Sequence, residues 1–323
     1  MRSLDPNDIR KFKHIIDNNK TFFLTLHTGP DADAAGSMLV VYEYLKSLKK
    51  SVYLYSVDSL PENLHILPHY KSIKNSLTKK EFDVAIFFEC STPDRAGINI
   101  NDFKFKRIIN IDHHRTAERY GDVNILNFDS PSTAEIIWNI FKHLKIKITK
   151  NMAVLLYSGI ITDTGKFHYS QTTPETHIIA AELLKYKFNF TKINDNFFLS
   201  STYQSLKLLG RALESLKIKD GIAFMNLTQN DFKEFDASFE HSESIVNYPM
   251  MIDEVKVSVF IKEDEKKFTV TFRSKPKINV SNVALAFNGG GHKNASGFKI
   301  SKEKITYDEL KRSILTEIKK EIK

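Results

Sequence analysis

The sequence predicts an α/β protein. Its N-terminal domain is a parallel sheet with helices on both faces, and a smaller α+β domain follows. Three observations predict this. Short apolar runs alternate with segments of helical spacing through the first half, the rhythm of βαβ units. One of those runs, DVAIFFE, is continuously apolar, as in a parallel strand buried on both faces. Beyond residue 220 the runs become alternating and closely spaced, and 323 residues suffice for two domains.

The opening MRSLDPNDIRKFKHI reads as a charged helix start, with Ser3 or Asp5 as cap and Pro6 in the first turn. It lacks the apolar core of a signal segment. FFLTLH (22–27) is a first strand and GSMLVVYEYLKSL (36–48) a helix. SVYLYS (51–56), DVAIFFE (83–89) and RIINID (107–112) are further strands. STAEIIWNIFKHL (132–144) and MAVLLYSGIIT (152–162) have helical character. The pattern becomes mixed around 187–205, which suggests a first domain over 1–190, a linker over 191–210 and a second domain over 211–323. In that second domain GIAFMNL (221–227), VKVSVFIK (255–262) and KFTVTFRS (267–274) read as strands, the last two joined by a hairpin turn. VALAFN (283–288) reads as a short helix, GGGHKNASG as a loop, FKI as a strand and 306–321 as a basic helix. There is no internal repeat.

A hydrophobic content of 41% supports a sizeable core, and no stretch approaches the roughly 18 apolar residues of a membrane span. The single cysteine, Cys90, permits no intrachain disulfide and no cysteine-rich zinc site, and points to the cytoplasm. A net charge of +8 suits an anionic substrate, although a lysine-rich composition yields the same figure without any basic cleft.

The ionisable residues gather where strands end. His27, Asp31 and Asp33 follow the first strand, in HTGPDADAAGS. Glu89 follows the third, and Asp112, His113 and His114 the fourth. Asp163 follows an apolar segment in GIITDTGKF. Ligands of open α/β sheets bind at the carboxyl ends of strands, so these residues should converge. Any one of them alone is ordinarily a turn or cap residue; their recurrence at equivalent positions points to a metal site. Two imidazoles and four carboxylates exceed the needs of one ion and suit two sharing a bridging carboxylate. Oxygen ligands with some imidazole favour Mn²⁺ over Mg²⁺, Fe²⁺ or Co²⁺. Such a pair, roughly 3.5–4 Å apart, serves phosphoryl hydrolysis.

HTGPDADAAGS, the acid of the third strand, IDHH and GIITDTGKF resemble, in order, the four motifs of the DHH phosphoesterase superfamily. FRSKPKINVSNVALAFNGGGHKNASG looks like the DHH-associated domain, marked by its GGGH. The resemblance spans nearly the whole chain and is nearest to stand-alone two-domain phosphodiesterases of the cyclic di-AMP and nanoRNase types. It implies that His27 and Asp31 bind one metal, that Asp33, His113 and Asp163 bind another, and that Glu89 bridges them. It makes His114 the contact to the scissile phosphate and the general acid, with Asp112 orienting its neighbours. The family position of Glu89 is ordinarily aspartate. The spacing to Arg95 still matches, so the extra methylene must be absorbed by backbone or metal. Gly289, Gly290, Gly291 and His292, with Arg273, are implied to grip the substrate's far phosphate or base. Arg115 is a further candidate for steering phosphate.

Other residues are read more plainly. Ser132 or Thr133 caps the next helix or touches substrate. Phe128 and Tyr169 are assigned to core packing, with base stacking as the alternative. Trp138 and Cys90 are assigned to the core, and His14, His65, His69, His143 and His177 have no motif context. The resulting expectation is a phosphodiesterase using two divalent ions, taken as Mn²⁺, in which a metal-bridged hydroxide attacks phosphorus. A small nucleotide, cyclic di-AMP or its linear product, is held between the domains, with no membrane and no long nucleic acid as partner. A homodimer is left open. The alternatives are a nanoRNase with 3′-phosphoadenosine 5′-phosphate phosphatase activity, or a nucleotide-binding regulator with an impaired metal site.

Overall fold

Asp5 starts the first helix, α1 (Pro6–Asn18), by accepting the backbone N–H of Asn7. Ser3, the other candidate cap, lies outside residues 4–322, which this computed structural model describes. Helix α1 buries Ile9, Phe12, Ile15 and Ile16. The chain continues through β1 (Thr21–Leu26), α2 (Ala32–Ser47), β2 (Ser51–Tyr55), β3 (Ile73–Lys74), β4 (Glu81–Phe88), β5 (Lys104–Asp112) and β6 (Val123–Leu126). Then come α3 (Thr133–His143), α4 (Lys150–Asp163), α5 (Pro174–Leu184) and α6 (Phe190–Phe198).

The six strands form one sheet in the order β3-β2-β1-β4-β5-β6, every pairing parallel. The period-two alternation of β1 divides its side chains between faces. Phe22, Leu24 and Leu26 join the core shared with α1 to α4. Phe23 points the other way, into an aromatic cluster with Phe82, Phe103 and Phe105. Short 3₁₀ turns, Pro93–Ala96 and Ile100–Asp102, cover that second face. Helices therefore flank both faces, long on one and single-turn on the other. From the central β1 the chain builds outward to β2 and β3 on one side, then returns to build β4, β5 and β6 on the other. The crevice between the carboxyl ends of β1 and β4 is the point where the strand order reverses, where such sheets bind ligands.

Contacts divide the chain into two units between Ser200 and Ser201. The second holds α7 (Tyr203–Glu214), β7 (Lys217–Lys219), β8 (Ile222–Leu227), α8 (Gln229–Glu234), β9 (Val257–Glu263), β10 (Lys267–Ser274), α9 (Val280–Leu285), β11 (Gly290–His292), β12 (Ala295–Ser301) and α10 (Tyr307–Glu321). Its sheet runs β11-β12-β10-β9-β8-β7, antiparallel except for β8 against β9. Helices α9 and α10 cover the face carrying Phe268, Val270 and Phe272. The GGGH segment is not the loop its glycines suggested. Gly290–His292 pairs with Ala295–Gly297 as a hairpin, whose tight turn consists of Lys293 and Asn294. Among the described residues no helix is long and apolar enough to cross a membrane.

Candidate metal centre

The loops leaving β1, β4 and β5 bring their ionisable side chains together with the end of α4. His27, Asp31 and Glu89 present ligand atoms within 4.8 Å of one another, as do Asp33, His113 and Asp163. Glu89 also stands within that reach of His113 and His114. The turn after β1 explains how three ligands fit in seven residues. Gly29 adopts φ +66° and donates its N–H to Asp58. Asp31 then caps α2, one carboxylate oxygen accepting from Ala34 N at 2.9 Å while the other lies 3.6 Å from His27 Nε2. Asp33, in the first turn of α2, joins His113 and Asp163 instead.

Backbone carbonyls set the imidazoles. His27 Nδ1 donates to Thr28 O at 2.8 Å and His113 Nδ1 to Ser130 O at 3.3 Å, which turns both Nε2 atoms toward the carboxylates. His113 Nε2 lies 3.1 Å from Asp163. Asp112 is fully buried and accepts both His114 N and His114 Nδ1 at 2.8 Å, leaving His114 Nε2 as the free end of a half-exposed ring. Asp33 accepts Thr133 N at 2.6 Å and Ala134 N at 2.9 Å, the first amides of α3. Ser132 caps that helix by accepting Glu135 N.

Glu89 is the most constrained member. It is 2% exposed, neither carboxylate oxygen has a hydrogen-bond partner, and its backbone takes φ +56°. Burial and the charges of Asp33, Asp31 and Asp163 push its carboxyl well above the ordinary range. Burial and Asp163 push Asp33 up to about 7. Burial opposes charging of His113, but Asp163, Asp33 and Asp112 outweigh it and raise His113 to about 9. Four carboxylates crowded about orphaned buried oxygens are a poor arrangement for a protein alone and a good one for divalent cations. The donor set is nitrogen and oxygen without sulfur; Cys90 is buried against the sheet and burial raises its thiol beyond use as a nucleophile.

Several contributors are not themselves ligands, and two of them, Gly36 and Gly159, lie inside the motifs HTGPDADAAGS and GIITDTGKF without a role being legible there. A Cβ on Gly159 would stand 2.4 Å from Asp33 Oδ1, and one on Gly36 2.7 Å from the carbonyl oxygen of Leu155. Both glycines therefore let α2 and α4 approach until Asp33 and Asp163 meet. The αL backbone of Glu89 and the carbonyl of Ser130 are equally silent in sequence. Phe128 and Tyr169 are not core residues: they are 39% and 51% exposed. Trp138 is buried as expected.

In the second unit, Arg273 on β10 and His292 on β11 both stand opposite Ala295 of β12. They share the face away from α9 and α10, with the small Ala295 between them. Of the three glycines, Gly289 and Gly291 are required by packing, since a Cβ would meet Gly297 O at 2.4 Å or Ala295 O at 2.7 Å. Gly290 alone has open space above it. Asn294 ties the hairpin down, its amide nitrogen within 3.0 Å of Ser274 Oγ, Lys275 O and Ile278 O.

Residues 21–160 match the DHH family, N-terminal domain, and residues 221–323 match the DHHA1 domain. The chain is 32% identical over 303 residues to the probable bifunctional oligoribonuclease and PAP phosphatase NrnA of Streptococcus mutans, covering 90% of this chain and 94% of that protein. It is 28% identical over 197 residues to the cyclic-di-AMP phosphodiesterase GdpP of Bacillus subtilis, covering 58% of this chain and 29% of that one. The solved structure of an exopolyphosphatase-related protein from Bacteroides fragilis superposes with a TM-score of 0.88 at 27% identity, covering 99% of this chain and 98% of that one.

Proposed function

Since the chain belongs to the DHH family of phosphoesterases, we propose that it is a phosphodiesterase that uses two divalent ions to hydrolyse short nucleotides, linear dinucleotides foremost. The observation that carries this reading is the orphaned carboxylate of Glu89, buried between a His27–Asp31 group and an Asp33–His113–Asp163 group. Those six side chains would hold the ions, and Mn²⁺ matches their mix of imidazole and carboxylate. When bound, the ions supply an activated water and screening of phosphoryl charge. The chain's own groups do the rest. His114 presents Nε2 to the leaving oxygen and hands it a proton, which Asp112 makes feasible by holding Nδ1 protonated. Arg115 draws the phosphate toward His114. Arg273 and His292 bind a distal phosphate of the substrate, and Asn294 keeps their two strands in register.

The linear-nucleotide reading is supported by a relative of the oligoribonuclease and PAP phosphatase kind along almost the whole chain. Hydrolysis of cyclic di-AMP is the second reading, supported by the partial match to a cyclic-di-AMP phosphodiesterase. Incubating the chain with linear pApA, a five-nucleotide RNA, 3′-phosphoadenosine 5′-phosphate and cyclic di-AMP side by side, with Mn²⁺ or with chelator, tests both. We expect metal-dependent turnover, fastest on pApA. Full activity after verified metal removal would overturn the proposal, and turnover of cyclic di-AMP alone would replace the first substrate by the second.

A further inference from the structure

A cavity of about 570 Å³ lies between the start of α1, the segment after His114 and the end of β6. Its lining includes Arg115 and Arg119, the carboxylates Asp5, Asp8 and Asp129, and the ring of Phe128. Three features set it apart from an accidental hollow. Neither arginine forms an ion pair or a side-chain hydrogen bond among the described residues, so both guanidinium groups are available to a ligand, although they share the cavity with three carboxylates. Phe128 belongs to none of the hydrophobic clusters and stacks on no other ring among the described residues, so burial does not explain it. The wall is also the turn that builds the metal centre. Asn127 N donates to Asp112 O, Asn127 Oδ1 accepts Asp129 N, and Ser130 O holds His113.

We infer that this cavity is a nucleotide subsite beside the metal centre, taking the base and phosphate of a nucleotide that flanks the scissile bond. Its volume falls in the range of small-ligand sites. A simple anion would face Asp5, Asp8 and Asp129 as well as the arginines. An apolar ligand would strip water from five charged groups. A nucleoside monophosphate satisfies every wall at once. Its phosphate meets the guanidinium forks, its base lies on Phe128, and its amino or hydroxyl donors meet the carboxylates. The subsite favours substrates with at least two nucleotides over phosphate esters without a base. The inference rests on the phosphodiesterase reading for the role of the ligand and on the cavity for its binding.

The experiment separates the two. Adenosine 5′-monophosphate is titrated calorimetrically into the chelated full-length protein, and into Phe128→Ala, Arg119→Ala and Phe128→Tyr. Phe128→Ala and Arg119→Ala should each weaken binding about tenfold, while Phe128→Tyr, which keeps the ring, should restore it. In the Mn²⁺-loaded protein the ratio of kcat/KM for pApA to that for bis-p-nitrophenyl phosphate should fall by a similar factor in the two alanine variants. Equal affinity in the wild type and both alanine variants, or no binding by the wild type up to about 10 mM, would overturn the subsite. If no phosphodiester is hydrolysed by the wild type but the affinities change as expected, the subsite stands and the catalytic reading falls.

Discussion

Glu89 concentrates three costs in one residue: a buried carboxyl, two unpartnered oxygens and a left-handed backbone. No hydrogen-bond partner among the described residues compensates them, which is why we propose Glu89 as the acid shared by two cations. We propose that the αL backbone, taken up just as β4 ends, is what would accommodate a residue longer than aspartate at this position. Glu89→Asp would draw the carboxylate back along a path already adapted to length. Activity should fall roughly 10- to 100-fold and the Mn²⁺ needed for half-activity should rise, as titration of turnover against Mn²⁺ would read. A rise in activity would mean that the extra methylene is tolerated strain. Glu89→Gln, which keeps the length and removes the charge, should abolish turnover; a fully active variant would exclude Glu89 from the centre. The two adjacent histidines should separate. His113→Ala should lose metal and activity together, while His114→Ala should keep its metal by elemental analysis and lose turnover about 10²–10⁴-fold. At this scale the sequence was eloquent, because imidazole and carboxylate carry their chemistry in their identity. It was silent about the αL backbone of Glu89 and about Asp33 receiving two helix amides, because both depend on where the chain goes next.

Helices and strands were legible by their periods, but their approach distances were not. The run MAVLLYSGIIT declared α4, yet it gave no role to Gly159, which also opens the motif GIITDTGKF. Its role appears only once α4 lies against the Asp33 turn, over a hundred residues away in sequence. Gly159→Ala should force Asp33 or the helix aside, destabilising the fold by about 1–3 kcal/mol and reducing metal affinity, measured by thermal melts with and without Mn²⁺. Gly210→Ala in α7 is the matched control. Nothing stands within 4 Å of its would-be Cβ, and it should be neutral or stabilising by up to about 1 kcal/mol. The GGGH hairpin teaches the same lesson in reverse. Its glycines suggested a loop, but two of them exist to let strands pack, and the pairing partner Ala295–Gly297 is a tertiary fact that turn statistics do not contain. Phe128 and Tyr169 were misread for the same reason: an aromatic residue is core only if the fold brings something to cover it.

For the whole molecule, the alternation of strands and helices was enough to predict a parallel sheet, and the strand-end rule was enough to converge residues from 27 to 114 on one crevice, whereas Asp163 reaches it from the end of helix α4. That convergence ties the stability of the protein to its ions. In the metal-free protein, Glu89 has a carboxyl raised well above its ordinary range and Asp33 one raised to about 7. Between their unfolded and folded values the native state holds more protons than the unfolded chain, so stability falls as pH rises. His113, raised to about 9, acts in the same direction: its stabilisation is full below about pH 6.5 and lost as pH climbs through its folded value. Bound divalent cations would replace those protons as the source of positive charge. The melting temperature in chelator should therefore decline from about pH 5 to about pH 9, while the Mn²⁺-loaded protein should stay nearly level above about pH 7, so that the gap between them widens with pH. Glu135 adds a slope that owes nothing to metal. It is fully buried, Thr176 Oγ donates to one of its oxygens, the other has no partner, and burial pushes it up to about 7. Glu135→Gln should flatten both curves between about pH 4.5 and 7 by at most about 3 kcal/mol and leave the gap between them intact. A gap that vanishes in Glu135→Gln, or that narrows as pH rises in the wild type, would show that the crowded carboxylates are held by something other than a cation.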